Sequence, residues 1–201
     1  MISKVNDPPV LNGLVLAGGK SIRMGKPKDK IDWHGKEQRY YLADLLAPLC
    51  DKVYISCRRD QSLDFDPSYL FLSDSFFDIG PLAGVLSAFR TNPVTAWIVI
   101  ACDLPLLDTY SLELLIKSRN SDKMATAYQN PTDHLPEPLI TIWEPKSYPI
   151  LNGCLAKGDT SLRRALISND TLIIKPLKPE ILLNVNTPDE LLKASEILKK
   201  L

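Results

Sequence analysis

Residues 16–25 read LAGGKSIRMG and follow the apolar run GLVLA at residues 13–17. A short run of β-forming side chains closed by glycine predicts a buried strand. Gly18 and Gly19 lack Cβ atoms, so the backbone after the strand can turn sharply and approach a ligand closely. Successive N–H groups in such a turn can form an anion-binding nest. The stretch therefore predicts a strand followed by a loop that binds phosphate.

Two positive side chains accompany this loop, Arg23 within it and Lys28 just beyond it. With the loop N–H groups they could neutralise a polyphosphate, and Lys30 is close enough to compete with Lys28 for that role. The spacing excludes two common phosphate motifs. A P-loop ending at Gly19 would need glycine in place of Leu14, and the adjacent glycines do not fit the pattern G-x-G-x-x-G. On these residues alone, a glycine-rich turn with solvated cations is the alternative.

The rest of the chain alternates short apolar runs with segments of helical periodicity. Strands are predicted at residues 52–56, 69–72 and 96–101, with a later pair at 123–128 and 138–143, and helices at 38–49, 81–90, 109–119, 161–168 and 188–200. Such alternation is typical of an α/β, three-layer sandwich, with a mostly parallel sheet and helices on both faces. No repeat or long linker interrupts the chain, so we expect a single domain over residues 1–201.

Composition narrows the class of protein. Lysine and arginine together number 24, as do aspartate and glutamate, so the formal net charge is zero and nothing indicates a nucleic-acid-binding surface. No apolar stretch reaches the roughly 18–20 residues of a membrane span, and the first residues lack the apolar part of a signal peptide. The four cysteines show no metal-binding spacing. We expect a cytoplasmic protein that binds neither nucleic acid nor membranes.

Acidic residues follow two of the predicted strands. Asp103 comes directly after the buried run 96–101, where a carboxylate can bind Mg²⁺, although helix capping or a turn is the alternative. Asp74 follows the preceding strand, and Gly80 and Gly84 lie at the start of the next helix, whose free N–H groups suit an anion or a base edge. Ordinary turn chemistry would also explain these residues. In open α/β sheets ligands bind beyond the carboxyl ends of the strands, so we expect a site there.

Two further motifs contain candidate residues. Asn184 and Asn186 belong to NVNTP, in which the threonine and proline fit the cap of the last predicted helix. Arg163 follows the motif GDTS on a predicted helix, where it could contact an acceptor phosphate. A solvated helix face explains Arg163 equally well.

Together these motifs resemble the nucleotidyltransferases with a Rossmann-like, GT-A-like fold, and most closely the molybdenum cofactor guanylyltransferases. The resemblance follows the motif order LAGGKSIRMG, SDS…GPLAG, CDLP, EPLITIWEP, GDTSLRRAL and NVNTPDEL over nearly the whole chain. It implies transfer of GMP from GTP to molybdopterin with release of pyrophosphate, and a requirement for Mg²⁺ or, in its place, Mn²⁺. Other cofactor-biosynthesis proteins and molybdoenzyme apo-proteins are the further partners that it implies.

The resemblance also implies roles for individual residues. Arg23, Lys28 and Asp103 would be catalytic, with Asp103 binding the metal. Nucleotide contacts are expected from Leu16, Ala17, Gly18, Gly19, Lys28, Ser56, Asp74, Gly80, Gly84 and Asp103, and acceptor contacts from Asn184, Asn186 and Arg163. Ser56 stands where the family often has asparagine. A related transferase that uses CTP or a sugar-phosphate acceptor, and a nucleotide-binding module without turnover, are the alternatives.

Overall fold

The computed structural model describes residues 7–18, 27–58 and 66–200 of the chain. Gly19 and Arg23, two residues of the predicted phosphate loop, lie outside these ranges. The strand residues before Gly19 and the segment that begins at residue 27 are described.

Within the described ranges, seven strands form one sheet in the order β3-β2-β1-β4-β6-β5-β7. The strands are β1 (Leu11–Leu16), β2 (Val53–Cys57), β3 (Leu70–Ser73), β4 (Ala96–Ala101), β5 (Ala125–Gln129), β6 (Pro136–Trp143) and β7 (Thr171–Ile174). The helices are α1 (Gln38–Leu46), α2 (Pro81–Thr91), α3 (Thr109–Lys117), α4 (Ser147–Ala156), α5 (Leu162–Ile167) and α6 (Pro188–Leu198), with short 3₁₀ helices at Lys28–Lys30 and Pro179–Leu182. β6 runs antiparallel to its two neighbours and the other pairs are parallel, which confirms the predicted mostly parallel sheet.

Helices cover both faces of this sheet. Every residue of β4 is buried. Ile98 and Ile100 belong to a core that includes side chains of α1 and α3, whereas Trp97 and Val99 belong to a second core with α2, α4 and α5. Successive side chains of a strand point to opposite faces, so these two cores are the two sides of the sheet. The predicted three-layer sandwich is confirmed.

Two helix starts follow their sequence signals. The Asp108 carboxylate accepts a hydrogen bond of 2.8 Å from the backbone N–H of Ser111 and caps α3. Thr187 and Glu190 form a capping box at α6. The box fixes where the chain enters α6, and so fixes the preceding residues at the carboxyl edge of the sheet.

The sequence patterns did not predict α4 or β7. α4 contains Pro149 and Gly153, which have low helix propensity. Its formation is explained by the position of Pro149 in the first turn, where proline is tolerated, and by the burial of Leu151 in the core. β7 has only four residues and is stabilised by parallel pairing with β5, which is remote in sequence.

The direction in which successive strands are added to the sheet reverses at β1. β1 pairs in parallel with β2 on one side and with β4 on the other. From β1 the chain moves outward to β2 and β3, and then returns to β4. Ligands of open α/β sheets bind at such a point, beyond the carboxyl ends of the strands.

None of the four cysteines forms a disulfide, and Cys57 and Cys102 are buried. In the part of the chain that the structure describes, no helix has both the length and the apolar character needed to cross a bilayer.

Candidate active site

A cavity of about 830 Å³ opens at the carboxyl ends of β1, β2 and β4. Nine residues predicted from the sequence line it: Leu16, Ala17, Gly18, Lys28, Ser56, Asp74, Gly80, Gly84 and Asp103. Asn184 and Asn186 reach this group through hydrogen bonds. Motifs that are distant in sequence therefore meet at the reversal point of the sheet.

Asp103 follows β4 and has a side chain that is only 15% exposed. Its Oδ2 lies 3.9 Å from the Nζ of Lys28. Its Oδ1 is buried, and no hydrogen-bond partner for it exists among residues 7–18, 27–58 and 66–200. Burial raises the pKa of Asp103, while Lys28 and the side chain of Asn184 act in the opposite direction. A buried carboxylate oxygen that lacks a donor is suited to a bound cation.

Asp103 is not part of a larger cluster of metal-binding side chains among the described residues. Within the described ranges, no cluster of three or more His, Cys, Asp and Glu side chains has the geometry of a metal site. Mg²⁺ is commonly bound by one or two carboxylates together with waters and substrate phosphates. The surroundings of Asp103 fit that manner of binding, in which the nucleotide itself supplies ligands.

Lys28 is held in place by the NVNTP motif. Its Nζ donates a short hydrogen bond to Oδ1 of Asn186, whose Nδ2 donates in turn to Oδ1 of Asn184. The backbone N–H of Val185 donates to the carbonyl oxygen of Asp103 at 2.8 Å. This chain of contacts joins the carboxyl end of β4 to the segment before α6. Lys28, and not Lys30, lines the cavity.

The start of the phosphate loop contacts the end of β2. The N–H of Ala17 donates to the carbonyl oxygen of Ser56 at 2.9 Å, which extends the β1–β2 pairing by one bond. Gly18 lies close to Asp74, because a Cβ at Gly18 would be 3.1 Å from Oδ2 of Asp74. The guanidinium of Arg58 donates to the carbonyl oxygen of Gly18 at 2.8 Å. A residue at position 18 larger than glycine would press on the Asp74 carboxylate.

Ser56 and Asp74 form the opposite end of the cavity. The hydroxyl of Ser56 donates to Oδ1 of Asp74 at 2.5 Å. Burial raises the pKa of Asp74, while this hydrogen bond and the charge of Arg58 lower it. Asp74 therefore has a donor in Ser56 and a positive neighbour in Arg58, whereas Oδ1 of Asp103 has no donor among the described residues.

The two glycines at the start of α2 differ in their roles. Gly84 faces the sheet, because a Cβ there would lie 2.6 Å from Cδ2 of Leu16 and 2.7 Å from Oγ of Ser56. Gly80 caps α2 with φ of 61°, a left-handed conformation that glycine adopts without strain. Gly84 thus allows close packing of helix and strand, and Gly80 allows the turn that leads into the helix.

Arg163, predicted as a contact for an acceptor phosphate, pairs with acidic side chains of the protein. It is not among the described residues that line the cavity. Its guanidinium instead donates to Asp133 at 2.7 Å and to the largely buried Glu137 at 3.0 Å. Glu137 is near enough to Asp103 to add to the rise of its pKa. Arg163 therefore lies at the margin of the site, paired with acidic side chains.

Sequence patterns did not single out several residues that line the cavity: Asp29, Arg58, Phe76, Phe77 and Leu139. The position of Asp29 beside Lys28 was the one available signal. Arg58 and the two phenylalanines have no motif that marks them in this sequence, and only the fold brings them to the site.

The description of the family model that matches residues 13–172 is MobA-like NTP transferase domain. The chain belongs to this family. The match extends from β1 into β7 and so includes the cavity-lining residues of the first four strands. The region after residue 172, with Asn184 and Asn186, lies beyond it.

Two relatives illustrate the range within the family. A molybdenum cofactor biosynthesis bifunctional protein of Synechocystis sp. is 34% identical over 184 residues, which are 90% of this chain and 52% of that protein. A molybdenum cofactor guanylyltransferase of Pseudomonas putida is 30% identical over 186 residues, 91% of this chain and 96% of the relative. The chain thus spans about half of the first protein and nearly all of the second.

Solved structures share the fold. The molybdopterin-guanine dinucleotide biosynthesis protein A of Archaeoglobus fulgidus matches with a TM-score of 0.79 at 23% identity, covering 94% of this chain and 100% of that one. A 4-diphosphocytidyl-2C-methyl-D-erythritol synthase of Anaerococcus prevotii matches with a TM-score of 0.71 at 12% identity, covering 95% and 96%. The Rossmann-like nucleotidyltransferase architecture expected from the sequence is therefore confirmed.

Proposed function

We propose that the chain transfers GMP from GTP to molybdopterin and releases pyrophosphate. The single observation that supports this most is the buried Oδ1 of Asp103, which has no protein donor in the described ranges and lies beside Lys28 in a cavity of an NTP-transferase fold. The guanylyltransferase relative, which this chain matches over nearly its full length, supports the choice of GTP and molybdopterin.

Asp103 would bind Mg²⁺, or Mn²⁺ in its place, and the metal would supply positive charge to the nucleotide phosphates. Lys28 would neutralise charge that develops on the departing pyrophosphate, with Arg23 of the loop assisting. Gly18 and Gly19 would bring backbone N–H groups to the phosphates. Asn186 would keep the Lys28 ammonium directed at the reacting groups.

The reaction needs no general base from the protein. The acceptor phosphate is already anionic and attacks the α-phosphorus of GTP, so that one P–O bond forms while the bond between the α-phosphorus and the bridging oxygen breaks. Pyrophosphate leaves with that bridging oxygen. Positioning and electrostatic stabilisation are the main contributions of a protein to such transfers.

The base and the acceptor would occupy opposite ends of the cavity. Asp74, with Ser56 behind it, would accept hydrogen bonds from the donor edge of guanine, next to the start of α2 at Gly80. Asn184 and Asn186 would contact the acceptor. Arg163 would reach an acceptor phosphate only by exchanging its contact with Glu137 or Asp133. Cofactor-biosynthesis proteins that supply the acceptor, and the apo-proteins that take the product, complete the proposed partners.

A transfer assay tests this proposal. The chain is incubated with molybdopterin, Mg²⁺ and each of GTP, CTP, ATP and UTP, labelled in turn at the α-phosphate. We expect label in a molybdopterin dinucleotide with GTP alone, together with an equal amount of pyrophosphate. Selective use of CTP would contradict the guanylyl assignment, and GTP binding without pyrophosphate release would indicate a nucleotide-binding module.

A further inference from the structure

The turn after Asp103 accepts hydrogen bonds from two side chains, one in the segment before α1 and one at the first residue of α1. His34 Nε2 lies 2.9 Å from the carbonyl oxygen of Pro105. A carbonyl oxygen only accepts, so Nε2 carries the proton. Gln38, fully buried, donates from Nε2 to the carbonyl oxygen of Leu104 at 3.3 Å. The start of α1 is thus joined to the turn that carries the Asp103 carboxylate.

The same start of α1 is joined to the turn that carries Lys28. Nη1 of Arg39 lies 3.3 Å from Oδ2 of Asp29, and both side chains are only 3% exposed. Nη2 of Arg39 also lies 2.7 Å from Oε2 of Glu37. Asp29 is the immediate neighbour of Lys28 in the 3₁₀ helix Lys28–Lys30. The start of α1 therefore contacts two turns, the one that carries Lys28 and the one that follows Asp103.

Stability alone does not account for a buried pair of this kind. Removing two charges from water costs free energy that their attraction often fails to recover, and apolar replacements of such pairs are frequently neutral. Burial raises the pKa of Asp29 despite the opposing charge of Arg39. The structure indicates a different use, since the pair fixes the turn at Asp29 and thereby the backbone of Lys28.

We propose that Arg39 is a positioning residue: through Asp29 it holds Lys28 at its distance from Asp103, while Gln38 and His34 hold the Asp103 turn against the same helix end. Nζ of Lys28 and Oδ2 of Asp103 are 3.9 Å apart, which leaves both groups able to contact one polyphosphate. The inference rests on the proposed transfer reaction, in which both groups act on GTP. A displacement of about 1 Å in such a pair can cost about a hundredfold in rate.

A double-mutant cycle tests this role. Arg39→Met, Lys28→Met and the double variant are compared with the wild type for kcat and KM of GTP transfer and for GTP affinity by calorimetry. We expect Arg39→Met to lower kcat/KM about tenfold or more in the wild-type chain, and to change it less than about twofold when Lys28 is already methionine. A purely structural residue would lower activity by the same factor in both backgrounds.

Arg119→Met is the matched control. Arg119 pairs with the fully buried Glu144 at 2.6 Å and donates to the carbonyl oxygen of Pro9. Pro9 precedes β1, so this buried ion pair lies near the amino end of β1, whereas the cavity opens at its carboxyl end. We expect Arg119→Met to lower the midpoint of thermal unfolding while its effect on kcat/KM is the same with and without Lys28.

Conservative variants keep the test decisive if Arg39→Met does not fold. Arg39→Lys retains the charge and should recover part of the loss. Asp29→Asn and Gln38→Met then take the place of Arg39→Met in the cycle, with the same expected dependence on Lys28.

Equal losses in the two backgrounds, or full activity of Arg39→Met, would overturn the inference. If the wild type forms no product, the proposed function fails first, and the cycle is decided on GTP affinity, where the same dependence on Lys28 is expected. Additive effects on that affinity, or no GTP binding by the wild type, would overturn the positioning role as well.

Discussion

The cavity has two ends, each with a partly buried carboxylate, and the two carboxylates differ in their contacts with the protein. Oδ1 of Asp103 has no donor among the described residues, and the Lys28 ammonium lies 3.9 Å from the other oxygen, Oδ2. Asp74 accepts a 2.5 Å hydrogen bond from Ser56 and is influenced by the charge of Arg58. Burial raises the pKa of both groups.

This difference indicates two kinds of ligand. The Asp103 oxygen without a donor is suited to a cation from outside the protein, and in the proposed function metal and phosphate complete its end of the cavity. Asp74 is already held by Ser56, and in the proposed function it would be a fixed acceptor for the donor edge of the base. We therefore expect substitution at Asp103 to affect the rate of transfer, and substitution at Asp74 to affect nucleotide affinity and choice of base.

The largest expected effect is that of Asp103→Asn. Loss of the metal-binding charge should lower kcat about 10²–10³-fold, the range found when one group that stabilises a transition state is removed. The metal-free variant should unfold at a temperature no lower than the wild type, because a buried negative charge is removed whose Oδ1 has no donor among the described residues. Mg²⁺-dependent transfer assays and thermal unfolding measure both effects.

Asp108→Ala is the control for that variant. Asp108 caps α3 through Ser111 and lies five residues further along the chain. Its loss should cost about 1 kcal/mol of unfolding free energy and leave the rate of transfer near the wild-type value. Full activity of Asp103→Asn with Mg²⁺ would remove Asp103 from the metal site and end the distinction between the two ends.

Asp74→Asn should have the next largest effect. Hydrogen bonds to charged groups contribute about 1.5–3 kcal/mol, so GTP affinity should fall about tenfold or more while kcat at saturation changes little. The ratio of kcat/KM for GTP to kcat/KM for ATP should fall. Steady-state kinetics with both nucleotides provide the measurement, and a fall in kcat at unchanged KM would place Asp74 at the reacting end instead.

Gly84→Ala tests the close approach of α2 to the base end. The new methyl group would meet Leu16 and Ser56, so we expect a loss of about 1–3 kcal/mol in unfolding free energy and weaker GTP binding. Gly153→Ala in α4 is the matched control, since a Cβ there meets no atom within 4 Å. Gly153→Ala should raise the unfolding free energy by about 0.5–1 kcal/mol. Equal changes in unfolding free energy for the two variants would rule out close packing at Gly84.

The smallest expected effect is a pH dependence of the metal-free protein. The pKa of Asp103 in the folded chain is raised above its ordinary value of 3.8, so the folded state binds the proton more tightly than the unfolded state. As the pH rises from about 4 through that raised pKa, the wild type should lose unfolding free energy relative to Asp103→Asn. Adding Mg²⁺ with GTP should restore the lost unfolding free energy. If the unfolding free energies of the two proteins change with pH in parallel, the pKa of Asp103 is not raised by folding.

The sequence predicted the parts of the site that follow strands. Apolar runs closed by polar residues placed Ser56, Asp74 and Asp103 at one edge of the sheet, and the structure brings them to one cavity. Local patterns sufficed because the carboxyl ends of parallel strands share an edge. The capping box at Thr187 likewise depends only on residues of the same turn.

Other features depend on contacts between distant segments. The pairing of Arg163 with Glu137 and Asp133 follows from the packing of α5 against β6. The link from Arg39 to Asp29 requires the turn before α1 to fold back on the helix. α4 forms around Pro149 because tertiary burial outweighs local propensity. Periodicity and motif spacing contain no information on these contacts.

The most direct test of the two-ended cavity is a crystal structure of the chain with GTP and Mg²⁺. We predict the metal on Oδ1 of Asp103, the phosphates beside Lys28 and Gly18, and guanine at Asp74 and the start of α2. A metal that does not contact Asp103, or a base that lies at the Asp103 end with the phosphates at Asp74, would contradict the assignment.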